Sequence, residues 1–529
     1  MPQYDESLFD GSLGHEHYLQ QQSPTQIGQQ GLDQDISPEF SSRSSNISNG
    51  LNGERPLDSR SSRSARFIGE TGESNPYLLR HYHYDEFDEC TVSKLTYRRI
   101  KRISQLADDP SRNKGEPPVV FMLADDSLAQ KGEPRIEEDV LAKARHDIAS
   151  MFTEEEAIRL IGLYFRFVNP YFPIVSRSEL SLCGEPVPIE AINAIPLSLL
   201  SALYATALPF MLYDDLLATT LVHSPPPPHQ LYRMSWLAVT QELHTPRLAT
   251  LQACLLLLQR APTNRYTTDT PWKTSLVGWT VSLAQILGLT RECGDWISIP
   301  SWEISLRKRL WYGVYIMDKW ASLGAGMPSH IRNEDFDVLL LTPSDCETSN
   351  DIHDHNSSSM GLPGPFDADS HFRLLAELTI ILNDIMDAYY SVKASQRTSK
   401  DFGLSLELAR PLRSRLKSWN DSLPPELSLR NPERVDARGM TRLSGNPSLS
   451  LAYIVATMTL FRALLRPLEN LTTIEEEDHG IVGSRLAVRA GAKECAKEVV
   501  EFAENLGRGA LDAFWHSCPY FLLIPPSHY

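Results

Sequence analysis

The chain has 529 residues, with 50 Lys and Arg against 67 Asp and Glu, a formal net charge of −17. That balance excludes a protein whose whole surface grips nucleic acid, because neutralising phosphates takes a cationic face; any DNA contact needs a local basic patch or an appended module. A hydrophobic content of 42% suffices for a large core, while 36 prolines and a polar N-terminal stretch keep part of the chain outside it.

Residues 1–66 are rich in Ser and Gln, as in Gln20-Gln21-Gln22 and Ser41-Ser42-Arg43-Ser44-Ser45, and show no apolar period. Such a segment buries too little surface to offset its ordering entropy and reads as a disordered leader. Met1 is followed by Pro2, Gln3, Asp5 and Glu6, without the cationic start and apolar core of a signal peptide. Residues 67–148 read as a mixed linker partly packed on the following domain through Phe67-Ile68-Gly69 and Tyr77-Leu78-Leu79, with a polar loop from Asp108 to Pro118. Within it, Arg98-Arg99-Ile100-Lys101-Arg102 reads either as a basic patch for nuclear import or phosphate contact, or as a solvated surface run.

From about residue 150 the helical period takes over, and residues 149–517 read as one all-α, multi-helix domain. Thr153-Glu154-Glu155-Glu156 has the pattern of a capping box, and Ala157, Leu160, Ile161, Tyr164, Phe167 and Val168 share a face up to Asn169-Pro170. Ala191–Tyr213 carries no charge, but Pro196, Pro209 and its acidic flanks favour a buried helix over a membrane span. Thr245-Pro246 and Thr270-Pro271 open two further helices, the second ending at Gly288. A helix follows over Ser301–Ser322, with Trp302, Leu306, Leu310, Val314, Met317 and Ala321 inward. On its outer side the pattern expects Glu303 to pair with Arg307 and the Arg307-Lys308-Arg309 run to be solvated. Residues 344–370 read as a mobile acidic loop. Stripes then start at Phe372, Leu408, Leu449 and Val488; the third is expected to stop at Pro467. Residues 518–529 break the period and read as an atypical, truncated or altered tail.

Catalysis finds no constellation. No two of the seven cysteines lie close enough to supply a zinc-ligand pair, so they read as reduced, mostly buried thiols. The pairs His15/His17, His81/His83 and His353/His355 have no further ligands nearby and read as polar loops rather than metal sites. Nucleophile-elbow, zinc-protease, phosphate-loop and dinucleotide fingerprints are missing from the sequence, so an enzyme is not expected.

The distinctive stretch is 285–340. It carries Leu287-Gly288-Leu289-Thr290-Arg291, then Glu303, Leu306-Arg307-Lys308-Arg309-Leu310-Trp311, Asp318, Gly326, Pro328 and Asp335-Phe336-Asp337-Val338. This order resembles the middle homology region, the fungal-specific regulatory domain, of zinc-binuclear-cluster transcription factors. Tyr164-Phe165 to Phe172-Pro173-Ile174-Val175, Leu416 to Pro424, Leu464-Leu465-Arg466-Pro467 and the Phe67–Gly72 segment are similar to further pieces of that family, so the resemblance covers about residues 67–517. Within the family the likeness is to broadly acting nitrogen-catabolism co-activators. Two positions depart from the pattern: Met327 replaces the turn's usual arginine and Tyr312 the second tryptophan. The family's N-terminal six-cysteine cluster, which holds zinc and reads DNA bases, has no counterpart in these 529 residues.

The resemblance implies a nuclear regulator of RNA polymerase II transcription whose motif residues Gly288, Arg307, Arg309, Trp311, Asp318, Gly326 and Pro328 are structural or regulatory. No cofactor is expected in this chain, zinc belonging to full-length members with the cluster. Partners are expected among other transcription factors or co-regulators, with a homodimer among the assemblies and no membrane. Promoter DNA is reached directly only if a missing cluster exists; otherwise another DNA-bound factor recruits the chain. A cytosolic sensor or scaffold, with a cleft near Trp272, Trp311 and Trp320, is the alternative, against those three being core aromatics.

Overall fold

The computed structural model describes residues 54–57, 63–103, 118–130, 138–181, 187–260, 270–346, 367–424, 427, 443–469 and 479–517. Most of the 1–66 leader, the greater part of the 344–370 loop, the 518–529 tail and the His15/His17 and His353/His355 pairs lie outside the described residues.

Past residue 138 the described residues form helices and the turns between them, the all-α class that the sequence predicts. In chain order the helices are α1 (Pro76–Leu79), α2 (Asp126–Gln130), α3 (Glu138–Met151), α4 (Glu154–Phe167), α5 (Arg177–Ser181), α6 (Ile189–Asn193), α7 (Leu197–Ala207), α8 (Asp215–Thr220) and α9 (Pro228–Glu242). They continue as α10 (Leu248–Leu258), α11 (Thr270–Ile286), α12 (Ser301–Ala325), α13 (Asp367–Tyr389), α14 (Val392–Thr398), α15 (Phe402–Asp421), α16 (Asn446–Glu469), α17 (His479–Glu504) and α18 (Arg508–Leu511). Packing runs as a relay: α4 on α7, α7 on α9 and α10, α10 on α11, α11 on α12, α12 on α13, then α13 on α15 and α16, with α17 laid on α16.

Local chemistry explains most boundaries. The capping box forms as the spacing requires: Thr153 Oγ1 accepts from the Glu156 amide at 3.3 Å, and Glu156 Oε2 accepts from the Thr153 amide at 2.8 Å. The charge-free 191–213 stretch becomes α7 and a 3-10 turn, Leu208–Tyr213, with every residue of α7 buried. Among the described residues, Asn446–Leu468 is the helix long and apolar enough to cross a membrane, and 72% of that window is buried inside the fold. Two boundaries differ from expectation. Helix α10 starts at Leu248, because the Thr250 hydroxyl accepts from the Arg247 amide and thereby caps the turn two residues after Pro246. Helix α16 passes through Pro467 to Glu469, although the proline cannot donate the bond to the Ala463 carbonyl that the ladder would require.

The largest departure is in 67–148. Where the sequence read as linker, the chain forms an antiparallel sheet of β1 (Arg63–Phe67), β2 (Glu89–Val92), β3 (Leu95–Ile100) and β4 (Val119–Asp125), in the order β1-β4-β3-β2. Strand β1 starts inside the segment read as leader, with Phe67 opposite Phe121 and Arg63 opposite Asp125. Residues 54–57 are also tied down: the Arg55 amide donates to the Ser298 carbonyl at 2.9 Å, and Leu57 is buried. One sheet face packs Ala65, Ile100, Val119 and Phe121 against Cys293, Trp296 and Ile299; the other packs Tyr97 and Val120 against Ile68 and Leu79. Of the cysteines among the described residues, all are free and four (Cys254, Cys293, Cys346 and Cys495) are buried.

Near the end of the described chain, residues after α18 insert side chains into the core. The imidazoles of His516 and α13's His371 stack with centroids 5.9 Å apart, framed edge-on by Phe172 and Tyr171. The Ser517 amide donates to Gln259 Oε1 at 3.0 Å, and His516 Nε2 lies 3.0 Å from the Tyr171 carbonyl. Burial pushes His371 down to about 3 and His516 down to about 4. Both are therefore neutral in the fold, whereas in the unfolded chain they protonate near pH ~6.5. Below that pH the unfolded state binds more protons, so stability is full above it and falls with acidification until the folded pKa values are reached. Denaturant unfolding is expected to lose roughly 4 kcal/mol between pH 7 and pH 5 from this pair, from about 1.4 kcal/mol per pH unit per histidine. A His371→Gln/His516→Gln double variant is expected to flatten that dependence; an unchanged slope would refute the assignment.

Candidate functional site: the charged helix through the core

Helix α12 carries most of the motif residues singled out above, and it is not the half-exposed helix its pattern suggested. Leu306 to Trp320 are buried without interruption, and the helix extends to Ala325. Arg309 and Lys319 rank among the largest fully buried side chains of the described residues. Charges in such a place persist only if every one is paired or hydrogen-bonded, and four groups of contacts meet that demand.

At the N-terminal end, Arg307 Nε donates to Glu303 Oε1 at 2.8 Å and Arg307 Nη1 to the Leu287 carbonyl at 2.9 Å. The expected i,i+4 pair thus exists, but Glu303 is 0% exposed and Arg307 3%, so it faces inward. The second Glu303 oxygen accepts from the Leu57 amide at 3.0 Å, and the guanidinium lies 5.6 Å from the Phe121 ring centroid and 5.8 Å from that of Trp296. One ion pair therefore fastens the sheet and its N-terminal strap to the helical body.

The next two residues continue it: Lys308 Nζ reaches Asp345 Oδ2 at 3.1 Å, and Arg309 donates to the carbonyls of Pro173 at 2.8 Å and Asp345 at 2.7 Å. Burial alone would raise Asp345, but the Thr342 hydroxyl and amide together with Lys308 hold it below the usual carboxylate value. Thus Asp345, at the start of the segment read as a mobile loop, is buried and anchored. Further along, Asp318 Oδ1 accepts from the His330 amide at 2.8 Å and sits 3.0 Å from His330 Nδ1, while Oδ2 accepts from the Ile331 amide at 3.1 Å. Lys319 Nζ donates to Ser329 Oγ at 2.9 Å and to the Ile331 carbonyl at 2.5 Å, and lies 3.4 Å from Asp318. Burial lowers the Lys319 pKa, opposed by Asp318. Together these bonds clamp the 326–331 turn onto the helix; within it Pro328 and Met327 are exposed, so the position that usually carries arginine faces solvent.

The glycines and tryptophans complete the frame. Gly326 caps α12 in the left-handed conformation (φ 66°) with open space around its missing Cβ. Gly288 is also left-handed (φ 69°), and a Cβ there would stand 2.9 Å from Phe121 and 3.0 Å from Phe67, so the sheet's approach as well as the turn requires glycine. Trp311 is buried and tilted against Phe336 at 5.0 Å, and Trp320 donates its indole N–H to Thr379 Oγ1 at 2.9 Å. These two are core residues, whereas Trp272 belongs to a half-exposed ladder with Trp236 and Trp279, so the three do not line a common cleft.

Half of the 98–102 basic run is likewise taken inside the fold: Arg98 and Arg102 are buried, whereas Arg99 is half-buried and Lys101 exposed. Arg98, whose pKa burial lowers, donates to the carbonyls of Arg55 at 2.9 Å, Pro56 at 3.4 Å and Ser298 at 3.2 Å. Arg99 and Lys101 both pair with Asp88, at 2.8 and 2.6 Å, and Arg102 bridges backbone to Trp296. Through Arg98 and Arg102 the run forms part of the seam between sheet and helices, while Arg99 and Lys101 stay at the surface, paired with Asp88. His81 and His83 are exposed, and among the described residues no group of His, Cys, Asp or Glu is arranged to hold a metal.

Sequence reasoning missed Glu292 and Asp345 as partners of this helix, both facing Lys308 Nζ, at 3.9 and 3.1 Å, and Asp337 as the support of Glu292. Glu292 accepts from the Gly294 and Leu339 amides at 2.7 Å each, and Asp337 accepts from the Glu292 amide at 2.6 Å. The available signal was the surplus of cations between residues 307 and 309, which required distant acids once the helix was interior.

Two expectations follow for unfolding measurements. Asp318→Ala leaves Lys319 buried without its carboxylate and should cost roughly 3–5 kcal/mol, and a loss under about 1 kcal/mol would remove the clamp from the account. Gly288→Ala should destabilise more than Gly326→Ala, by about 1–3 kcal/mol against about 1 kcal/mol, because only the former adds a clash to the backbone strain; equal losses would show that Phe121 moves aside freely.

The fungal specific transcription factor domain family matches residues 161–421. The transcriptional activator protein DAL81 of Saccharomyces cerevisiae is 27% identical over 495 residues, covering 86% of this chain and 45% of its own length. An uncharacterized transcriptional regulatory protein of Schizosaccharomyces pombe is 28% identical over 340 residues, 63% of this chain and 45% of its own. Cutinase transcription factor 1 beta of Fusarium vanettenii is 26% identical over 301 residues, 53% and 33% respectively. The chain spans less than half the length of these curated relatives. No solved structure matches.

Proposed function

The chain belongs with the transcriptional regulators that carry the fungal specific transcription factor domain, and on that premise we propose that it is a nuclear, non-enzymatic regulator of RNA polymerase II transcription. In this reading it works as a docking body, recruited to promoters by another DNA-bound factor. The observation that carries it is the fate of the cations: Arg98 of the first basic cluster, Arg307, Lys308 and Arg309 of the second, and Lys319 further along the helix are buried on protein oxygens. Cations held in this way are not free to neutralise phosphates, and the net charge of −17 works against whole-body DNA binding. The likeness to nitrogen-catabolism co-activators supports nitrogen-responsive genes as targets.

Chromatin immunoprecipitation of a tagged chain is expected to show promoter occupancy that disappears when the recruiting factor is deleted, while the purified 529-residue protein shows no sequence-specific shift of duplex DNA at physiological salt. Specific, submicromolar binding by the purified chain would overturn recruitment. Exclusion from the nucleus under every nutrient condition would overturn the regulatory reading and favour the cytosolic sensor or scaffold.

A further inference from the structure

The half-exposed ladder of three tryptophans is taken up neither by the core nor by the charged helix. Trp236 of α9 is its middle rung: it stacks on Trp279 of α11 (centroids 5.2 Å, interplanar angle 15°) and meets Trp272 of the same helix edge-on at 5.9 Å. The Arg260 guanidinium lies 4.4 Å from the Trp272 centroid, and Trp279 is 39% exposed. Between the two α11 indoles stands the small, exposed Ser275. Indoles fixed by their neighbours lose little entropy when a segment settles on them, and such anchors dominate interface energies.

The end of the described chain is fastened beside this ladder. The Ser517 amide donates to Gln259 Oε1, and Gln259 directly precedes the Arg260 that flanks Trp272. Two side chains and one residue step thus hold Ser517 no more than about 25 Å from the Trp272 ring. The sequence continues as Cys518-Pro519-Tyr520-Phe521-Leu522-Leu523-Ile524-Pro525-Pro526, without a charge. Extended, these residues reach about 30 Å. Pro519 and Pro525 disfavour helical backbone at Cys518 and Ile524, and the apolar stretch between them is too short to sustain a helix of its own. Aromatic-lined grooves accept extended, proline-bearing segments because such segments have little backbone freedom left to lose.

From the anchor at Gln259 and the chemistry of the residues that follow it, we propose that the Trp236–Trp272–Trp279 ladder is the docking site of this chain's own segment Pro519–Pro526, laid across the indoles in extended form. Tethering selects this occupant. Through a linker of a few residues a segment is present at an effective concentration in the millimolar range, so it outcompetes a similar segment of another protein at ordinary cellular levels. Chemistry selects it as well: the ladder offers apolar ring faces, and Tyr520 to Ile524 supply aromatic and aliphatic side chains with no charge to desolvate. While the segment is seated, the ladder is closed to proline-rich segments from outside.

Photo-crosslinking of the full chain tests this. Phe521→p-benzoylphenylalanine, irradiated in dilute solution and digested for mass spectrometry, should join position 521 to a peptide holding Trp236, Trp272 or Trp279, within a single chain of 59.6 kDa. Adding Ser275→Glu, which sets a charge between the two α11 indoles, should lower that yield about fivefold or more. Leu486→Glu, on the exposed side of α17, should leave it unchanged, and both variants should keep the parent's unfolding midpoint. Crosslinks that join two chains, or that fall on peptides away from the ladder, overturn the proposal. So does a yield indifferent to Ser275→Glu, or no crosslink at all.

Discussion

The fold depends on the neutralisation of one helix. Ser301–Ala325 takes Arg307, Lys308, Arg309, Asp318 and Lys319 through the interior, and each finds a carboxylate, carbonyl, hydroxyl or amide within hydrogen-bond reach. An apolar helix could fill the same space at no desolvation penalty, so these charges are not there for stability alone. Their effect is to specify which distant segments lie where. The Leu57 strap, the Leu287 carbonyl, the Pro173 turn, Asp345 and the 329–331 turn are each selected by a directional bond that a greasy surface could not impose. Removing one partner strands a charge in low dielectric, which makes the arrangement close to all-or-none.

The sheet joins this frame through the same helix. Phe121 meets Phe67 and Trp296 edge-on, at 5.8 and 5.7 Å, and lies beside the Arg307 guanidinium, while Gly288 turns the chain beneath it. Arg98 on β3 and the backbone bond from Ile297 to the Lys101 carbonyl, 2.8 Å, close the seam from the other side. Of the positive charge that looked available for phosphate or import receptors, that of Arg98 and Arg307 is spent in joining two layers of one protein.

How much of this was legible beforehand depends on whether the signal was local. The capping box at Thr153, the stripe from Phe372 to Tyr389 and the stop at Gly288 follow from spacing and from the needs of the backbone, and the described chain reproduces them. Val119 to Ala124 is a continuous apolar run bounded by Pro117-Pro118 and Asp125-Asp126, a pattern that fits a strand covered on both faces. It lacks the alternation that marks a half-exposed strand, so it passed as linker.

By itself, the sequence determined the helical class, the order of the amphipathic segments and the kinship carried by the 285–340 motif, because periodicity and caps act over a few residues. Only the tertiary structure decided which charges are inside. A run such as Arg307-Lys308-Arg309 reads as solvated until Asp345 and Pro173, far off in sequence, are brought against it. The physical reason is that the cost of burying a charge depends wholly on partners that chain distance conceals.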